Sequence, residues 1–168
     1  ITYTATDGST QQITVTITGT DDASVITGTV AGAVNEGNLG DTVTATGSIA
    51  ITDADDDDSP VFNDVGSTVG DNAYGSFALS SGTWTYTLDQ SAVQDLDAGD
   101  LVNDTITYTA TDGSTQQITV TITGTDDASV ISGTVAGAVN EGNLGDTVTA
   151  TGTITISDAD ADDSPVFN

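Results

Sequence analysis

The sequence predicts an all-β chain of antiparallel β-sandwich modules in tandem, and three observations carry that prediction. Apolar and Thr residues alternate with a period of two through most of the chain. Gly, Asp, Asn and Ser gather between the alternating stretches, where turns are needed. Residues 1–63 recur as residues 106–168 with five differences (Thr27/Ser132, Ser48/Thr153, Ala50/Thr155, Thr52/Ser157 and Asp56/Ala161). The offset of 105 residues is the length of a domain and too long for one solenoid repeat.

The segment Gly19-Thr-Asp-Asp-Ala23 recurs as Gly124–Ala128 and is polar and turn-rich on both occasions, so a module boundary is placed there. Residues 24–127 are then one complete β-sandwich module. Residues 1–23 are the C-terminal strands of a preceding module, and residues 128–168 the N-terminal part of a following one. Ile1 lies inside a strand-like pattern, as expected of a piece of a long array.

Within the complete module the elements follow in order. Ile26, Val30 and Val34 share one parity, and Val43, Ala45, Ile49 and Ile51 share another, so each stretch turns one edge inward when extended. Val61–Val69 gives a weaker pattern, and Phe77 with Leu79 a short strand. Trp84-Thr-Tyr86-Thr-Leu88, Ile106-Thr-Tyr108-Thr-Ala110 and Ile118-Thr-Val120-Thr-Ile122 set apolar groups on one face and Thr on the other, the pattern of half-buried antiparallel strands. Asp89–Leu96 is the one helical candidate: Asp89 can cap it, Val93 and Leu96 stand three apart, and Gly99 lies just beyond. Seven or so short strands separated by turns describe two packed sheets.

Charge sets the next constraint. The chain has no Lys, Arg or His against 26 Asp plus Glu, a net charge of -26. Leu, Ile, Val and Phe number 37 of 168, barely above the level at which a highly charged chain stays disordered. Self-repulsion opposes compaction, so folding calls for counter-charge, which hard divalent cations supply through oxygen ligands. Nucleic acid and anionic membrane surfaces are excluded as partners, because both require basic footprints. No apolar run approaches a membrane span, and no signal-peptide pattern opens the chain. Absence of Cys removes disulfides.

The carboxylates are clustered. They gather in Asp53-Ala-Asp55-Asp-Asp57-Asp58, in Asp21-Asp22 and Asp126-Asp127, in Asp95, Asp97 and Asp100, and at the strand ends Asp7 and Asp112. Acidic runs are ordinarily solvated loops, but here no cation in the chain offsets them. Alternate carboxylates of an extended segment point the same way, so Asp53, Asp55 and Asp57 can converge on one ion. The run matches the first three ligand positions of an EF-hand, yet Asp58 stands where that loop needs Gly and no helices flank it. Asp41, Asp64 and Asp71 read as turn residues.

Gly82-Thr-Trp-Thr-Tyr-Thr-Leu-Asp89, Asn103-Asp-Thr-Ile-Thr-Tyr-Thr-Ala-Thr-Asp-Gly113 and Ile118-Thr-Val-Thr-Ile-Thr-Gly-Thr-Asp-Asp127 together resemble the VCBS repeat of large bacterial RTX adhesins. The resemblance covers the whole 105-residue period and implies Ig-like, cadherin-like modules. It further implies a secreted, cell-surface location reached by type I secretion, several Ca2+ ions per module with some at the junctions, and an extender role in a monomeric chain whose partners are its own neighbouring modules. Carried over by position, Glu36 and its counterpart Glu141 would serve from the upper module, with Asp89. Asp126 and Asp127 would serve from the linker, and Asp158 and Asp160 from the lower module. The preceding junction would use Asp21, Asp22, Asp53, Asp55 and Asp112. The linker reads Gly-Thr-Asp-Asp-Ala where cadherins have Asp-x-Asn-Asp-Asn, and Leu-Asp-Arg-Glu is reduced to Leu88-Asp89-Gln90.

Two rival functions are weighed. A carboxylate pair can serve a glycosidase, but a near-identical repeated unit offers no distinctive cleft, so the chain is expected not to be an enzyme. Thr rows such as Thr119, Thr121 and Thr123 form a hydroxyl array suited to ice or carbohydrate, although Thr on a wet strand face is the ordinary consequence of β-propensity. Trp84 alternates in phase with Tyr86 and Leu88 and reads as core, not as a sugar platform.

Overall fold

A computed structural model describes residues 1–168. Its strands are β1 (Thr2–Thr4), β2 (Thr10–Gln12), β3 (Val25–Gly28), β4 (Ala31–Asn35), β5 (Thr44–Thr52) and β6 (Val65–Val69), followed by β7 (Gly75–Ser80), β8 (Thr83–Leu88), β9 (Leu101–Thr109), β10 (Thr115–Thr123), β11 (Val130–Gly133) and β12 (Ile154–Ser157). The chain is therefore all-β. Two sheets, ordered β3-β5-β8-β7-β6 and β4-β10-β9, carry the central part, while β1-β2 and β11-β12 pair by themselves. No helix is long and apolar enough to cross a membrane.

One pairing departs from the antiparallel expectation: β4 runs parallel to β10, with Ala31 opposite Thr119 and Asn35 opposite Thr123. The cause is a change of sheet in mid-stretch. β3 pairs with β5 up to Gly28, and the chain then crosses to β10 without reversing. Gly28 makes this possible with φ 126, and a Cβ there would lie 2.1 Å from the Ser48 carbonyl oxygen, a site only Gly tolerates. The single apolar parity of Ile26, Val30 and Val34 is thus shared between two sheets.

The sheets bury one core between them. Phe77, Leu79, Trp84, Tyr86, Leu88 and Ile49 come from the five-stranded sheet, and Val34, Ile106, Tyr108, Ile118, Val120 and Ile122 from the three-stranded one. The period-two alternation in β8, β9 and β10 produces this inward set directly. Trp84 is fully buried, donates its indole N–H to the Thr29 carbonyl (2.7 Å), and lies on Gly47, where a Cβ would meet its ring at 2.5 Å. It is a core residue.

The helical candidate at Asp89–Leu96 becomes a single 3-10 turn, Gln90–Ala92, capped by Asp89, whose carboxylate accepts from the Ser91 N–H (3.0 Å). Val93 is pulled into the core with 0 % exposure. The chain then makes two further turns, through Leu96 N–H to Val93 O and Asp100 N–H to Asp97 O, so no second helical turn can form. These turns carry Asp95 and Asp97 to the end of the sandwich that meets residues 128–168.

Candidate metal centre

Two carboxylate triads stand out, Asp21/Asp55/Asp58 and Asp126/Asp160/Asp163, each with oxygens within 4.8 Å of one another. Position by position they differ by 105, the sequence repeat. Both are built alike. After β5 the Asp55 N–H donates to Asp53 Oδ1 (2.9 Å), the Ser24 hydroxyl bonds Asp53 Oδ2 (3.0 Å), and the Asp22 N–H donates to Asp55 Oδ2 (2.7 Å). After β12 the Asp160 N–H donates to Asp158 Oδ1 (3.2 Å), the Ser129 hydroxyl to Asp158 Oδ2 (2.6 Å), and the Asp127 N–H to Asp160 Oδ2 (2.7 Å). A tight turn, Asp58 N–H to Asp55 O and Asp163 N–H to Asp160 O, brings the third carboxylate around to the first two.

This geometry redistributes the expected ligands. Asp55, Asp160, Asp21 and Asp126 face their clusters. Asp53 and Asp158 brace the loop through both oxygens, and Asp22 and Asp127 contribute backbone N–H groups to it. Asp57 is exposed and outside the triad, because the turn at Asp55–Asp58 breaks the extended spacing that would have aligned it with Asp53 and Asp55. Asp7 and Asp112 cap their own hairpin turns through Ser9 and Ser114, and Asp112 also accepts from the Ser24 hydroxyl. An open cleft of about 470 Å³ beside the first triad is lined by Asp21, Asp22, Asp53, Asp58 and Asp112. Asp89 is a cap, and Glu141 is exposed.

The second triad has a further wall. Glu36, 5 % exposed, accepts from the Thr125 N–H (3.1 Å) and the Gln94 side-chain amide (3.0 Å). Across the gap the Asp95 carbonyl accepts from the Ala161 N–H (3.2 Å), and Asp97 Oδ1 from the Asp162 N–H (3.3 Å). Asp160 is 4 % exposed, and its Oδ1 has no hydrogen-bond partner. A buried carboxylate oxygen without a donor is costly, and a bound cation would satisfy it.

The electrostatics agree. Burial pushes the Glu36 carboxyl above its ordinary range, and Asp127, Asp160 and Asp95 add repulsion. Asp58, Asp97, Asp127 and Asp163 are raised by partial desolvation and then by neighbouring carboxylates. Asp7, Asp112 and Asp158 are lowered by Ser donors. The donor set is oxygen alone, which fits hard cations such as Ca2+ and suits neither zinc nor copper.

Asp58, Asp163 and the Asp95–Asp97 turn are site residues that spacing alone did not assign. A signal for the first two lay in the repeat. Within the acidic run only position 56 changes between copies, to Ala161, and it lies outside both triads. The Thr rows stay on the outer sheet faces, partly engaged: the Thr121 hydroxyl donates to Asn103 Oδ1 and the Thr105 hydroxyl to Asp71 Oδ2. Comparison with known protein families and with curated proteins finds no match.

Proposed function

We propose that this chain is a stretch of a calcium-rigidified extracellular spacer, in which ions at the ends of successive β-sandwich modules turn flexible beads into a rod. One observation carries the reading. The Asp126/Asp160/Asp163 triad joins the linker to the following segment, against a wall of Glu36, Asp95 and Asp97 from the preceding sandwich. An ion held there ties the two parts together.

The physical case is one of counter-charge. A net charge of -26 with no basic side chain opposes compaction where calcium is scarce, which suits a chain exported unfolded. Outside the cell, ions binding only the folded form stabilise it by RT ln(1 + [L]/Kd), about 2.7 kcal/mol per site at a hundredfold excess over Kd. Strands of about nine residues at ~3.3 Å each give every module a length on the order of 30–45 Å with its loops. Reach then grows with repeat number, and neither catalysis nor a partner chain is required.

Thermal unfolding with calcium and with chelator tests the reading. Calcium should raise Tm by several degrees, and Asp126→Asn with Asp163→Asn should remove part of that gain. An identical Tm in both conditions rejects the calcium role. Ice-shaping or glycan binding by the isolated chain would shift the assignment to its Thr faces.

A further inference from the structure

We infer that the Gly70–Tyr74 turn, held by the buried Asp104, closes the long edge of β9 and keeps it from pairing with a second copy of the chain. The device needs no bound ion.

The two sheets have four edge strands, β3, β6, β4 and β9. Three are short: β3 has four residues, β4 and β6 five each, and the pairing of β6 shifts register between Val65 and Thr68. Short or irregular edges resist pairing with other chains. β9 is different. It runs for nine residues, and its exposed side chains, Leu101, Asn103, Thr107 and Thr109, carry no charge. Charged side chains, Lys above all, are the common protection of such an edge, and this chain has no Lys. The cover has to come from elsewhere in the fold.

The turn supplies it. Thr105 lies opposite Thr119, whose N–H goes to Val30 on the far side of β10, so the backbone groups of Thr105 point outward from the sheet edge. The Asp71 N–H donates to the Thr105 carbonyl (2.8 Å), and the Asn72 side-chain amide to the Asn103 carbonyl (2.8 Å). The Thr105 hydroxyl donates back to Asp71 Oδ2 (2.8 Å). At the other end of the edge the Thr111 N–H donates to the Val61 carbonyl (3.0 Å), and Phe62 bridges to Ala110. Alternate residues of a strand turn their backbone groups to the same side. Thr107 and Thr109 are then the open stretch, shorter than an ordinary strand.

Asp104 fixes the turn in place. It is fully buried at an inward position of β9 and accepts from the Asn72 N–H (3.0 Å) and the Tyr86 hydroxyl (3.3 Å). The turn comes so close that a Cβ at Gly70 would stand 2.3 Å from either carboxyl oxygen. Burying a carboxyl group without a cation is costly, so Asp104 contributes specificity where an apolar residue would contribute stability. Here the specificity is a fixed position for a turn that belongs to the other sheet. A repetitive chain needs it: residues 1–63 recur as 106–168 with five differences. Near-copies tethered together meet at high effective concentration and are prone to misassembly.

Sedimentation velocity of the full 168-residue chain at rising concentration, with calcium and with chelator, tests this. Asp104→Val frees the turn while keeping an inward side chain of similar size. Its sedimentation coefficient should climb with concentration towards that of a dimer paired β9 to β9. Asp71→Ala with Asn72→Ala removes the side-chain bonds of the turn without touching the core and should shift the same way to a smaller degree. This second variant decides the matter if Asp104→Val unfolds. Adding Thr107→Asp to either variant brings like charges together across such a pair and should restore the profile of the unmodified chain. Circular dichroism confirms that the strands are retained. Folded variants that sediment as the unmodified chain does at every concentration would overturn the inference, as would association that Thr107→Asp leaves in place.

Discussion

Trp84 sets the shape of the core at the scale of single residues. Gly32 and Gly47 leave room for its ring, and a Cβ at Gly47 would stand 2.5 Å from it. Gly47→Ala should therefore destabilise the fold by about 1–3 kcal/mol through overpacking, read as a lower denaturation midpoint at unchanged m-value. Tyr108 presents the opposite case. Its hydroxyl is buried without a partner, so Tyr108→Phe should be neutral or stabilise by up to ~1 kcal/mol, since it removes an unsatisfied group. A clear loss of stability would mean that the hydroxyl has a water partner. Trp84 and Tyr108 were legible as core from alternation alone. Asp104 was not. It occupies an inward position of β9 with 0 % exposure and accepts from the Asn72 and Thr105 N–H groups and the Tyr86 hydroxyl. A polar residue in an apolar phase shows its purpose only when the Gly70–Tyr74 turn that it holds is seen in space.

Strand pairing decides burial at the scale of elements. Ile118, Val120 and Ile122 of β10 are fully buried because the strand is paired on both sides, with β4 and with β9, and its apolar face packs into the core shared with the five-stranded sheet. Strand identity was readable from the period-two pattern, but burial depends on what packs against it. The crossing at Gly28 and the shrinking of Asp89–Leu96 to one 3-10 turn escaped the sequence for a related reason: both are decided by tertiary contacts. Two turns retain local strain. Ala73 and Ser81 adopt φ 60 and φ 48, the left-handed region where a side chain costs on the order of 1 kcal/mol. Ala73→Gly should stabilise the chain by a few tenths to ~1 kcal/mol, the relieved strain being offset in part by unfolded-state entropy. A lower Tm in that variant would show that the Ala73 methyl contributes packing.

Charge dominates the whole molecule. Glu36, Asp58, Asp97, Asp127 and Asp163 have carboxyls held above their ordinary values of 4.5 for Glu and 3.8 for Asp. The folded chain therefore takes up protons there more readily than the unfolded one, and their contribution favours folding at low pH and is lost as pH rises through the folded values. Asp7, Asp112 and Asp158 are lowered; they favour folding above the ordinary Asp value and lose that contribution as pH falls through their folded values. The chelated chain should thus gain stability as pH falls from neutral through the raised carboxyls and lose the part contributed by Asp7, Asp112 and Asp158 as pH falls further, below the ordinary Asp value. With saturating calcium the first trend should reverse, since protons compete with the ion for the same oxygens. Denaturant midpoints across pH, with and without chelator, check both arms.

The need for counter-charge was legible in the composition, and so were most of the acidic loops. The pairing of Asp58 with Asp21 and Asp55, and the arrival of Asp95 and Asp97 opposite Asp160, depend on how the loops fold back. Small-angle scattering of the full chain, titrated with calcium and then with chelator, tests most directly whether ions lock residues 128–168 against the sandwich. Chelation should broaden the distance distribution and change the maximum dimension, and calcium should restore a single rigid form. Superimposable profiles in the two conditions, from a chain that remains folded, would contradict the rod.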